Sequence, residues 1–242
     1  MRRPRIYTPL PLTCGQVVEL DEAPSRHLAK VLRMQRGREV ILFNGQGGEY
    51  RATLKDIGKK TVTAAVFDFS DKDRESPLRV ELAIGISRGE RMDWVVQKAT
   101  ELGVTALTPL FTERTEVKLD GPRLEKKLQH WQQIVINACE QCQRNRLPQL
   151  FRPAGLGEWM AGARADSKLV LHPATEAPNL NLLPPPQSVI LLIGSEGGFS
   201  DAEITGARER GFIPLTLGPR ILRTETAPLT ALGILQHLWG DL

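Results

Sequence analysis

The chain has 242 residues, long enough for one large domain or two modest ones, each able to bury a core. Its 41% hydrophobic and 25% charged content is ordinary for a globular protein, and no apolar run approaches the roughly 20 residues that span a membrane, so a membrane partner is not expected. The basic start is followed by a stretch, 6–12, that Pro9 and Pro11 interrupt, and three cysteines are an odd count for a disulfide framework; both point to a cytoplasmic, reducing location.

The formal net charge is +4. Residues 1–40 hold eight basic side chains (Arg2, Arg3, Arg5, Arg26, Lys30, Arg33, Arg36, Arg38) against Glu19, Asp21, Glu22 and Glu39, so the whole excess lies there. A small unit with such an excess can neutralise phosphates and release counterions; a solvated face is the plainer alternative.

Up to about residue 70 the pattern is strands at 16–20, 38–43, 49–57 and 61–69, rich in β-branched and aromatic residues. One helix interrupts them, starting near Pro24 and Ser25. Its apolar positions are His27, Leu28, Val31 and Leu32, with Arg26, Lys30 and Arg33 toward solvent or RNA. The charged run 70–77 reads as a linker.

From Leu78 strands and helices alternate, which predicts an α/β domain with a mainly parallel sheet. Strands are expected at 78–86, 106–109, 168–172, 189–193 and 214–217, and helices at 91–102 and 123–143. Ser200 and Glu203 form a capping box for the next helix, which Gly211 can end, and 226–238 is the last.

Three strand ends carry the candidate chemistry. Residues 193–200, Ile-Gly-Ser-Glu-Gly-Gly-Phe-Ser, join a buried strand to a capped helix, where ligands of open α/β sheets bind. Neither the Walker A pattern nor G-x-G-x-x-G is present. The second loop, from Leu217 through Gly218, Arg220 and Arg223 to Pro228, follows another strand, and Leu171-His172-Pro173-Ala174 a third. Together they could wall one nucleoside-sized pocket.

Five blocks in order, starting at Arg26, Lys98, Cys139, Gly194 and Leu217, closely resemble the ribosomal RNA small-subunit methyltransferase E family over nearly the whole chain. The resemblance implies a PUA-like RNA-binding β-barrel over 1–72. It also implies a SPOUT-type α/β methyltransferase domain over 73–242 with a C-terminal trefoil knot. It further implies a homodimer, S-adenosyl-L-methionine (SAM) as cofactor, and N3 methylation of a uridine near the decoding centre of 16S rRNA in the small ribosomal subunit. The residues so implicated in SAM binding are Leu171, His172, Gly194, Ser195, Glu196, Gly197, Gly198, Leu217, Gly218, Ile221, Leu222, Arg223, Thr226 and Ala227. Ser195 replaces the family's usual proline, which is expected to loosen that loop slightly.

Uridine N3 carries a hydrogen, so the reaction needs a proton acceptor and a cation beside the developing anion. Arg144, Arg146 and Arg223 are the cationic candidates, and Glu225 and Glu140 the acceptors; a phosphate clamp or a helix cap is the plainer role. The RNA-binding candidates are Arg26, Lys30, Arg33, Arg144 and Arg146. Cys139-x-x-Cys142 falls on the apolar side of a predicted helix with no second cysteine pair, so buried packing is expected and no metal. Trp94, Trp131, Trp159 and Trp239 read as core or dimer-interface residues. The competing readings are a methyltransferase of another RNA position, an RNA-binding protein on an inactive methyltransferase fold, and an enzyme using another nucleotide.

Overall fold

A computed structural model describes residues 3–58, 60–172 and 178–242. The chain divides into two compact units, Met1–Glu75 with Cys139–Leu147, and Ser76–Ala138 with Pro148–Leu242.

The first unit is built on a five-stranded sheet. Its strands are β1 (Arg5–Tyr7), β2 (Val17–Leu20), β3 (Glu39–Phe43), β4 (Glu49–Ile57) and β5 (Val62–Ser70), in the order β1-β3-β4-β5-β2. β1 runs parallel to β3 and the other pairs are antiparallel. The long β4–β5 ribbon shifts register between Arg51 and Ala52 and between Leu54 and Asp56, irregularities that bend a ribbon and raise its twist. Alternate residues of these strands point inward and close a core of Val18, Leu20, Val40, Leu42, Leu54 and Val62 around Leu28.

The expected single helix is two elements. Helix α1 (Glu22–Arg26) starts earlier than its predicted origin, and a π-helical turn (His27–Val31) follows it. Ser25 does not open a helix: its hydroxyl donates to the Leu20 carbonyl at 2.9 Å and accepts from the Val62 N–H at 2.9 Å. The wider turn, with the Leu32 N–H on the His27 carbonyl, breaks the 3.6-residue spacing, so Leu28 is buried while Val31 and Leu32 face solvent. That corrects the apolar face expected from spacing.

The second unit carries a seven-stranded parallel sheet. Its strands are β6 (Arg79–Gly85), β7 (Ala106–Phe111), β8 (Gln149–Leu150), β9 (Ala154–Gly155), β10 (Ser167–Leu171), β11 (Ser188–Ile193) and β12 (Ile213–Leu215). They lie in the order β12-β10-β11-β6-β7-β8, with β9 also paired to β7. The central strands β6 and β11 are almost wholly buried, which is why they read as continuous apolar runs. The helices are α2 (Glu90–Glu101), α3 (Gly121–Cys142), α4 (Leu156–Gly162), α5 (Asp201–Glu209) and α6 (Thr226–Trp239); α2 packs on α6 and α4 on α5. Ser200 and Glu203 make the expected capping box of α5, and Gly211 takes a left-handed φ of 80° just beyond it.

Candidate functional site

The parallel sheet brings the ends of β12, β10 and β11 side by side, and one cavity of about 360 Å³ opens against all three. From β10 it is lined by Leu171 and His172, and from β11 by Ile193 and the loop Gly194, Ser195, Glu196, Gly197, Gly198 and Phe199. The loop after β12 adds Thr216, Leu217, Gly218, Pro219, Arg220, Ile221 and Leu222, and Thr224 and Ala227 complete the wall. Twelve of the fourteen residues expected to hold SAM therefore meet. Arg223 and Thr226 do not line the cavity; the Arg223 carbonyl instead accepts the Thr226 and Ala227 N–H groups, both at 2.9 Å, where α6 begins. His172 is engaged through its backbone, its N–H on the Leu215 carbonyl at 3.2 Å and its carbonyl accepting from the Thr216 hydroxyl at 3.4 Å. Pro173 and Ala174 lie outside the described residues.

The Gly194–Gly198 loop is held from outside by a residue that carried no local signal. The buried Ser195 donates its hydroxyl to the Arg114 carbonyl at 3.1 Å, and the Arg114 guanidinium donates to the Gly197 carbonyl at 2.9 Å. A proline could make no such bond, so serine supplies a tie here that a proline would lack.

Glu196 is the charged side chain of this loop. Its Oε1 accepts the Arg88 N–H at 2.9 Å and the Arg91 guanidinium at 3.0 Å. Burial disfavours its charge, but bonds from the Arg88 and Glu196 N–H groups and the Arg91 guanidinium outweigh that and hold the carboxyl below its ordinary value. Arg91 also lies 3.8 Å from Glu225 Oε2. Glu225 stands at the N-cap of α6 without a side-chain capping bond, so it is not the cap its position suggested. Arg91 thus joins carboxylates of both loops. Only its place just after a strand end could have marked it.

The remaining candidates belong to the first unit. Arg144, expected as a cation for the base or the RNA, is 4% exposed and engaged by Glu75, with Nε at 3.0 Å from Oε1. A buried, hydrogen-bonded pair of this kind braces the fold, so in this structure the Arg144 guanidinium is engaged by Glu75 and not open to solvent. Arg146 is exposed and 3.6 Å from Asp73. Glu140 accepts the Tyr7 N–H at 2.9 Å, and burial pushes its carboxyl up. Burial also pushes the Cys139 thiol to about 12, so it stays protonated and packed. Among the described residues no group of three or more His, Cys, Asp or Glu could hold a metal. Arg26, Lys30 and Arg33 are exposed and in no ion pair among the described residues, while Arg2 lies outside them.

Comparison with known proteins ties this geometry to a family. An RNA methyltransferase domain model matches residues 74–236, and an RNA methyltransferase PUA domain model matches residues 20–67. The ribosomal RNA small subunit methyltransferase E of Buchnera aphidicola is 39% identical over 100% of this chain and 98% of its own length. That of Bacillus subtilis is 31% identical over 90% and 92%. Among solved structures, a Legionella pneumophila methyltransferase in complex with SAM superposes with a TM-score of 0.97 at 46% identity over the whole of both chains. The Neisseria gonorrhoeae ribosomal RNA small subunit methyltransferase E bound to SAM gives 0.94 at 40% over 99% of each. A curled sheet with a PUA match, followed by a parallel α/β sheet whose strand ends enclose a cavity, places the chain in the ribosomal RNA small subunit methyltransferase E family.

Proposed function

We propose that this protein transfers the methyl group of SAM to N3 of a uridine near the decoding centre of 16S rRNA. The observation that carries the proposal is the cavity at the three strand ends, in a chain that matches SAM-bound relatives along its full length. Its volume of about 360 Å³ lies within the roughly 300–1,000 Å³ usual for small-molecule sites. Backbone groups of the glycine loop and the side chains of Leu171, Leu217 and Leu222 suit a nucleoside held by shape and main-chain hydrogen bonds.

Bound SAM supplies a methyl already activated on a sulfonium. The chain's own residues must align the uridine in line with it and accept the N3 proton as the N3–methyl bond forms and the sulfur keeps the pair of the bond that breaks. Glu225 is our candidate acceptor, flanked by the cavity residues Thr224 and Ala227, and Arg223, exposed and in no ion pair among the described residues, is the candidate cation.

In this reading residues 1–72 form the RNA-binding PUA-like barrel and 73–242 the SPOUT domain, with the C-terminal segment threaded as a trefoil knot. The enzyme works in the cytoplasm as a homodimer on 16S rRNA or the small subunit. Two exposed apolar side chains support the dimer, Trp94 on α2 and Ile234 on α6, helices that pack together. No helix among the described residues is long and apolar enough to cross a membrane.

The test joins titration calorimetry to mass spectrometry. SAM or its demethylated product should bind in the micromolar range and ATP should not, and small subunits from an unmethylated strain should gain 3-methyluridine. Finding 5-methyluridine overturns the chemical assignment, and binding without methyl transfer overturns the enzyme reading.

A further inference from the structure

Apart from Arg38, the described arginines of the first unit divide by whether they form an ion pair. Arg3, Arg5, Arg51, Arg74, Arg144 and Arg146 each form an ion pair, with Glu39, Glu49, Glu39 and Asp68, Glu49, Glu75 and Asp73 respectively. Arg26, Arg33 and Arg36, with Lys30, are exposed and in no ion pair among the described residues. All four fall within eleven consecutive residues, just before, on and just after the π-helical turn His27–Val31. Charges left unneutralised side by side repel one another, so their clustering is suited to an anionic partner.

Two further features of this segment run against stability. Val31 and Leu32 are 66% and 39% exposed, in the middle of the cations. Arg33 takes a left-handed φ of 48°, a conformation costly for a side chain with a Cβ, and the turn is closed behind it by the Met34 N–H on the Leu28 carbonyl at 2.9 Å. π-turns and strained residues concentrate at functional sites, because the surrounding fold must sustain them. Here the strained turn holds an apolar pair outward between phosphate-sized charges.

We infer that this turn is a docking face for unpaired RNA, with Val31 and Leu32 packing on exposed bases or riboses while Arg26, Lys30, Arg33 and Arg36 take the phosphates. A paired A-form helix hides its base faces and offers mainly phosphates and 2′-hydroxyls, so it gives the apolar pair nothing to cover. Unstacked nucleotides of a loop offer both surfaces. The inference rests on the reading of the barrel as the RNA-binding unit, and names the class of RNA it takes.

Charge and apolar contacts separate by salt dependence, which makes the test specific. Fluorescence anisotropy of the full-length protein would compare an RNA hairpin with a large single-stranded loop against a blunt duplex of equal length, from about 50 to 300 mM salt. Wild type should bind the loop RNA about tenfold more tightly than the duplex. Val31→Ser with Leu32→Ser should lose about fivefold on the loop RNA with the salt slope unchanged. Arg26→Ala with Arg33→Ala should flatten that slope by about 1.4, two phosphate contacts at roughly 0.7 each. All four positions are exposed, and an unchanged Tm verifies folding; Val31→Thr alone, nearly isosteric, provides a milder second variant expected to lose about twofold. Equal binding of loop and duplex, or serine variants as tight as wild type, overturns the inference while leaving the barrel an RNA binder. Binding of neither RNA overturns the barrel reading itself, and the inference with it.

Discussion

Among the described residues, the chain between Gly194 and Gly198 is gripped from several sides, whereas between Thr216 and Glu225 its main-chain bonds lie mainly at the ends, although both stretches face the same cavity. The first loop has the Ser195–Arg114 and Arg114–Gly197 bonds, the Arg88 N–H on Glu196 and its own Gly198 N–H on the Ser195 carbonyl. In the second, the main-chain bonds of the described residues lie where α6 begins, and Ile221 in its middle is 96% exposed. Among the described residues the first loop is therefore the more heavily bonded wall, and we expect the second to be the adjustable one, whose ordering cost a bound ligand must offset.

The largest expected effect comes from the strand beneath the fixed loop. A Cβ on Gly85, at the end of β6, would stand 2.4 Å from the Ser195 nitrogen and 2.9 Å from the Gly194 carbonyl carbon. Both are backbone atoms that the grip described above prevents from yielding. Gly85→Ala should cost about 3 kcal/mol, read as a lower denaturant midpoint, with loss of SAM binding. An unchanged midpoint would show that this loop moves freely, and the contrast would fail. Gly218, in the adjustable loop, has a φ of 78° but open space around its absent Cβ. Gly218→Ala should therefore cost only the conformational strain, about 1 kcal/mol, because nothing needs to be displaced.

Ser195→Ala removes one buried hydroxyl bond, and the expected loss is about 1 kcal/mol. Ser195→Pro tests the same bond against the residue usual in the family: if proline stiffens the loop more than the hydroxyl ties it, that variant will melt higher than wild type, contrary to our reading of Ser195.

What the sequence disclosed and what it hid divide along the same line of local against distant information. The strand Ser188–Ile193 shows as an unbroken apolar run because a central parallel strand is buried on both faces, and Ser200 and Glu203 show because a capping box lies within four residues. The three loops were legible because each sits between a recognisable strand and its successor. β1, β8 and β9, of three, two and two residues, are too short to show a period. The turn at His27–Val31 departs from the face that a 3.6-residue period predicts because its winding is wider. Partners across the fold leave no local trace: Glu75 neutralises Arg144 from 69 residues away and Ser195 reaches Arg114 across 81. A basic residue in a family block looks the same whether it meets RNA or a buried carboxylate.

The smallest expected effect bears most directly on how the two loops cooperate. Arg91 reaches both carboxylates, Glu196 at 3.0 Å and Glu225 at 3.8 Å, so it ties the adjustable loop to the fixed one. Its side chain is 47% exposed, and solvent screening limits such a tie to well under 1 kcal/mol. Arg91→Gln should weaken binding of the demethylated cofactor about two- to threefold, measured by calorimetry, and leave the melting temperature nearly unchanged. In a double-mutant cycle with Glu225→Gln the two losses should be less than additive, since either change alone already cuts the link between loops. Acid should abolish the effect. The Glu196 carboxyl is held below its ordinary value in the folded protein, so its contribution is present above that value and disappears as pH falls through the lowered one. The same loss is expected in 1 M salt, where the screening length shrinks to about 3 Å. Full additivity, or a defect that persists in high salt, would mean that Arg91 supports the cavity by packing and that the adjustable loop is ordered by the ligand alone.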